Sequence, residues 1–112
     1  MSPVCLLITS PPTSPEGRQA LDLAGAFLRA GSGLTLCALQ DACVLACRKQ
    51  PNDTRQAMER LLAQGATVCV LDEDLALRGL ASTELLEPVA LVGYRKIAEF
   101  LADGHLQVIG CV

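Results

Sequence analysis

Five short apolar runs, at residues 3–9, 34–39, 66–71, 89–92 and 106–111, recur along a chain of 112 residues, and helical patterning fills the intervals between them. Runs this short fall below the usual helix length and fit strands buried on both faces. Strands that alternate with helices pair in parallel through right-handed crossovers, which place helices over the sheet. The pattern predicts a single α/β domain over residues 1–112. Its architecture is a three-layer sandwich, with a mostly parallel five-stranded sheet and helices on both faces.

The third unit is the most compact. Residues 66–71 run directly into Asp72, Glu73 and Asp74, and Arg78-Gly79 follows four residues later. Asp72 is placed to cap a short helix, and Glu73 and Asp74 to sit in its positively polarised first turn. Arg78-Gly79 supplies a cation and an αL-tolerant residue where that helix should stop. In open α/β sheets ligands collect beyond the carboxyl ends of the strands, so residues 71–74 are the first place to look for function.

The other units carry similar signals. Ser10-Pro-Pro-Thr-Ser-Pro is a loop, with Ser14 as N-cap and Pro15 at the first helical position. Ala20, Leu21, Ala24, Phe27 and Leu28 then mark one face of a helix that ends before Gly31. Asp41 is a candidate cap for a short apolar helix through Cys47, and Asp53 or Thr54 for the next, whose inward face is Met58, Leu61 and Leu62. Residues 94–102 place Ile97, Phe100 and Leu101 on one helical face.

A core of this chain must be aliphatic, because 51% of residues are apolar but only 3% are aromatic, with no Trp. A net charge of -3 lays down no broad footprint for nucleic acid, so direct RNA or DNA binding is not expected. The amino terminus lacks a basic region and soon meets prolines, and no run approaches the roughly 18 apolar residues of a membrane span. A cytoplasmic location without membrane contact is expected. The six cysteines sit inside apolar runs, as reduced core residues do, and not between polar loops as in a secreted disulfide framework.

Three constellations invite chemistry. Asp41 and the cluster at 72–74 suggest a phosphoacceptor or Mg²⁺ site, but a receiver domain needs acids after the first strand, where this chain has Thr9-Ser10. Cys43 and Cys47 are four apart and share a helical face, and a helix N-terminus would favour a Cys43 thiolate; the alternative is that both replace core aliphatics. With one histidine and no C-x-x-C pair, neither a metal site nor a cofactor is expected. Residues 10–17 could hold an anion at the following helix N-terminus, although no glycine-rich phosphate motif follows any strand.

Three segments together resemble the DsrE/DsrF/DsrH superfamily, and its DsrH/TusB branch most closely. They are ITSPPTSPEGRQALDLAGAFLRAG, LCALQDACVLACR, and VLDEDLALRGL with VALVGYRKIAEFLADGHLQVIGCV. The resemblance implies a small cytosolic α/β protein that assembles with itself or with DsrE/DsrF (TusD/TusC)-like subunits. In such assemblies persulfide sulfur passes between cysteines, toward tRNA wobble-uridine 2-thiolation or within sulfur oxidation. The chemistry needs an exposed, low-pKa thiolate. In DsrE-type subunits the carrier cysteine ends the third strand, where this chain has Leu71, and the cysteine found in the first helix of some DsrH-type chains is also missing.

The expected role is therefore a structural or docking subunit of a sulfur-relay assembly. A sulfur transferase with Cys43 as acceptor is the enzymatic alternative. A small anion- or ligand-binding module using Ser10, Asp41, Leu71, Asp72 and Asp74 is the third reading.

Overall fold

The computed structural model describes residues 3–111; residues 1, 2 and 112 of the expected domain, and the side chain of Cys111, lie outside the described residues. Five strands, β1 (Val4–Ile8), β2 (Leu34–Ala38), β3 (Thr67–Leu71), β4 (Ala90–Val92) and β5 (Gln107–Cys111), form one sheet in the order β4-β3-β2-β1-β5. Every pairing is parallel. The four helices are α1 (Pro15–Arg29), α2 (Asn52–Ala63), α3 (Asp72–Leu77) and α4 (Tyr94–Ala102), with 3₁₀ segments at Gln40–Ala46 and Ser82–Glu84. The predicted α/β sandwich with helices on both faces is the observed one.

Strand order decides how the helices are shared. From β1 to β4 the chain steps one way across the sheet, then returns past three strands to β5. Right-handed crossovers therefore put α1, α2 and α3 on one face and α4 alone on the other. The packing agrees. Val4, Leu6 and Ile8 of β1 join Ala20 and Ala24 of α1, Met58 and Leu61 of α2 and Leu75 of α3 in the larger cluster. Cys5, Leu7, Leu71, Ile97 and Phe100 belong to the smaller cluster beneath α4. Alternation along each strand sorts neighbouring residues to opposite faces.

Local signals account for most element ends. Ser14 caps α1 as expected, its hydroxyl accepting from the Gly17 N–H at 3.0 Å, with Pro15 in the first turn. Gly65 and Gly79 follow α2 and α3 at φ 96° and 68°, the left-handed region where a glycine has no Cβ to strain.

Five expectations need correction. Asp41, Asp72 and Asp53 or Thr54 are not the caps of their helices: the boundary residues are Leu39, Leu71 and Pro51, and none makes a side-chain cap. Each helix begins about a residue or two earlier because the strand or turn before it already delivers the chain in extended geometry, so the acids fall inside the first turn. The segment after β2 winds as a 3₁₀ helix, tighter than the α-helix on which an i, i+4 argument rests. Leu101 is exposed instead of sharing the buried side of α4 with Ile97.

Candidate functional site

The carboxyl ends of β1, β2 and β3 lie side by side, so the loops that follow them share one edge of the sheet. Two of the three are tied together by side chains. Gln40 turns the chain out of β2 in a left-handed conformation at φ 52°, and its N–H donates to the Asp74 carboxylate at 2.6 Å. Asp74 is buried, and its position in the first turn of α3 also suits a negative charge. Arg78 closes the other side of this clamp. Its guanidinium donates to the Asp74 carbonyl at 3.0 Å and to the Asp41 carboxylate at 2.6 Å, which raises the Arg78 pKa through the Asp41 hydrogen bond.

The acids at positions 41 and 74 thus converge on one arginine, and the sequence pointed to Arg78 only as a helix-end cation. Its reach back to Asp41 depends on β2 and β3 being neighbours, which no local pattern records. Asp72 stays exposed at the head of α3. Ser10 is half-buried in the bend after β1, and Leu71 is buried on the opposite face, beneath α4. The five cleft candidates are therefore divided: Asp41 and Asp74 are brought together, while Leu71 belongs to the other side of the sheet. Open clefts lie elsewhere, between α1 and α2 and in a volume of ≈ 490 Å³ beside β4 lined by Leu85, Val89 and Leu91. The loop before α1 uses its own donors, since the Ser14 hydroxyl and N–H both turn back to the Pro11 carbonyl.

Cys43 sits behind the clamp, in the 3₁₀ segment, with no exposed surface. Burial pushes its thiol pKa up; the Arg78 charge opposes that shift, and Asp74 and Asp41 add to it. Cys47 is buried beside it, with its sulfur 3.9 Å from the Cys43 carbonyl and its pKa also raised by burial.

A second thiol group escaped the sequence reading. Cys5 on β1, Cys37 on β2 and Cys69 on β3 all point to the α4 face, and the Cys5 and Cys37 sulfurs are 3.7 Å apart. Cys37 stands directly opposite Cys69 in the strand register. The available signal was spacing, because each cysteine lies 32 residues after the last, one strand-and-crossover unit in this chain. Hydrogen bonding with Cys37 brings the Cys69 pKa down to about 7, against burial and with help from Lys96, and also lowers that of Cys5. Either sulfur of the Cys5–Cys37 contact can be the donor. The Cys37 thiol itself is pushed well above the ordinary range, first by its bonds to Cys5 and Cys69 and then by burial.

Known proteins with this architecture include the ychN protein from E. coli, at a TM-score of 0.82 and 21% identity over 97% of this chain and 100% of that one. A protein of unknown function from Methanobacterium thermoautotrophicum, MTH1491, superposes at 0.77 with 20% identity over 98% and 99%. At these identities the likeness establishes the fold. No curated protein sequence matches the chain significantly. The family described as DsrH like protein matches residues 13–106, from the loop before α1 to the edge of β5, and the chain therefore belongs to the DsrH-like family.

Proposed function

We propose that this chain is a structural or docking subunit of an intracellular sulfur-relay assembly, in the manner of DsrH/TusB-like subunits, and not its persulfide carrier. One observation carries the distinction. Every cysteine whose side chain is described is buried, none above 5% exposure, and the end of β3 holds Leu71 at 3% exposure beneath α4. A carrier must present its thiolate to a partner's sulfane sulfur, and none of these thiols is so presented.

Assembly with like or sister subunits is supported by the surface beside α4 and β4. Leu91, Tyr94 and Leu101 are 44%, 59% and 55% exposed, and β4 is an edge strand whose outer hydrogen-bonding groups have no neighbour in the sheet. No helix among the described residues is long and apolar enough to cross a membrane. The cytoplasm, where thiols stay reduced, suits cysteines packed as free thiols.

Incubation with a persulfide donor followed by mass spectrometry tests the role. The docking role predicts no cysteine gaining the mass of a sulfur atom. An adduct on Cys43 that disappears in Cys43→Ser would move the assignment to a sulfur transferase. Light scattering is expected to give a multiple of 11.8 kDa, and a monodisperse single chain would remove the assembly claim. Subunits recovered with the protein from its own host would separate tRNA thiolation from sulfur oxidation.

A further inference from the structure

We infer that Cys37 and Cys69 form a buried dithiol site that a small neutral peroxide oxidises to a disulfide between β2 and β3, with Cys69 attacking and Cys37 resolving. The inference does not rest on the sulfur-relay reading.

Register selects the pair. Directly opposed residues of neighbouring strands stand about 4.8 Å apart, which lies within the roughly 4.4–6.8 Å between Cα atoms that a disulfide spans. Cys5 and Cys37 make the closer sulfur contact at 3.7 Å, but Cys37 pairs with Leu7, so Cys5 is displaced two residues along β1. Strand spacing and rise together place that diagonal pair about 8 Å apart at Cα, beyond the roughly 7 Å limit for bridging without backbone movement. The shortest sulfur contact is therefore not the one that closes.

Environment selects the reagent and the order of events. Leu7, Leu39, Leu71, Val92, Ile97 and Phe100 surround the thiols, so a charged oxidant incurs a far larger desolvation cost to reach them than small, neutral hydrogen peroxide does. The barrier on one side is α4, whose cover is weak. Gly93 offers no side-chain cap, Arg95 and Lys96 place cations in the first turn against the helix dipole, and Ile97 is its only buried residue. Local opening of such an element admits a small solute. Lys96, held over the Phe100 ring at 5.3 Å, brings the positive charge that favours the Cys69 thiolate.

In the first step the Cys69 thiolate attacks one peroxide oxygen. An S–O bond forms, the O–O bond breaks, and the departing hydroxide takes up a proton to become water. The Cys37 sulfur then attacks the Cys69 sulfenic sulfur, giving up its proton as the S–OH bond breaks and a second water leaves. Two thiols lose two electrons and two protons, and one peroxide becomes two waters.

The test is a time course of the intact reduced protein in hydrogen peroxide, with thiol blocking and peptide mapping without reductant. The expected product is a Cys37–Cys69 linked peptide, lighter by two hydrogens, that forms before Cys43 or Cys47 reacts. In Cys37→Ser, which keeps a hydrogen-bonding group beside Cys69 but cannot resolve, and with its fold checked by circular dichroism, Cys69 is expected to stop at a sulfenic acid trapped by a cyclic dione. A Cys5–Cys37 linkage, or Cys69 remaining reduced while Cys43, Cys47 or Cys111 oxidises first, overturns the inference.

Discussion

The two faces of the sheet are built from the same five strands yet are covered very differently. On one side α1, α2, α3 and the 3₁₀ segment at Gln40–Ala46 seal a continuous aliphatic core. On the other, α4 lies alone over three thiols and a few aliphatic side chains. Strand order is the cause, since one crossover out of four returns across the sheet. Strand order thus sets the depth of cover: the heavily covered side holds the larger aliphatic core together with Cys43 and Cys47, and the lightly covered side holds the three neighbouring thiols Cys5, Cys37 and Cys69.

The largest expected effect compares the two cores. Leu36→Ala, which empties a fully buried position under the helices, should cost about 2–5 kcal/mol in urea unfolding. Ile97→Ala, on α4, should cost no more than about 2 kcal/mol, and equal losses would break the contrast. Next is Gly17→Ala. A Cβ there would stand 2.1 Å from the Pro11 carbonyl oxygen, so α1 must shift from its loop, at a cost of about 1–3 kcal/mol in the same measurement.

Asp74→Ala should cost about 1–3 kcal/mol by stranding the Gln40 N–H and the Arg78 clamp; a neutral result would mean that the clamp does not hold β2 to β3.

A fourth prediction separates the faces by pH. Cys69 is held at about 7 against an ordinary 9.0, so the folded state releases its proton first and stability from this group grows as pH rises through that interval. The gain is roughly 1 kcal/mol per pH unit, and Cys69→Ser should abolish it in unfolding curves compared at pH 7 and pH 9. Cys43 and Cys47 act in the opposite sense, because their raised pKa values stabilise the fold below 9.0 and that contribution is lost at higher pH. The smallest effect is Asp41→Asn. With its side chain 69% exposed, the Asp41–Arg78 pair should contribute less than about 1 kcal/mol and fade with added salt.

Much of the fold was legible. The runs around Leu36 and Val70 mark buried strands because both of their sides are apolar, and Ser14-Pro15 marks a helix start because its chemistry is local. The acids are less legible. Asp41, Asp53 and Asp72 looked like caps from their order in the chain, but the residue before each helix is set by how the preceding strand or turn ends. Leu101 satisfied the helical period, yet α4 lies against the sheet along too narrow a stripe to cover it.

What the sequence determined by itself is the succession of elements, the aliphatic character of the core and the likeness to DsrH-type chains, all of which depend on residues close together along the chain. Tertiary structure alone decided which of those elements became neighbours. Cys5, Cys37 and Cys69 are 32 residues apart in each step, and Arg78 is 37 residues from Asp41. Parallel pairing cancels those separations by placing equivalent positions of successive units side by side, so contacts between units are set by strand order and register and not by any pattern within a unit.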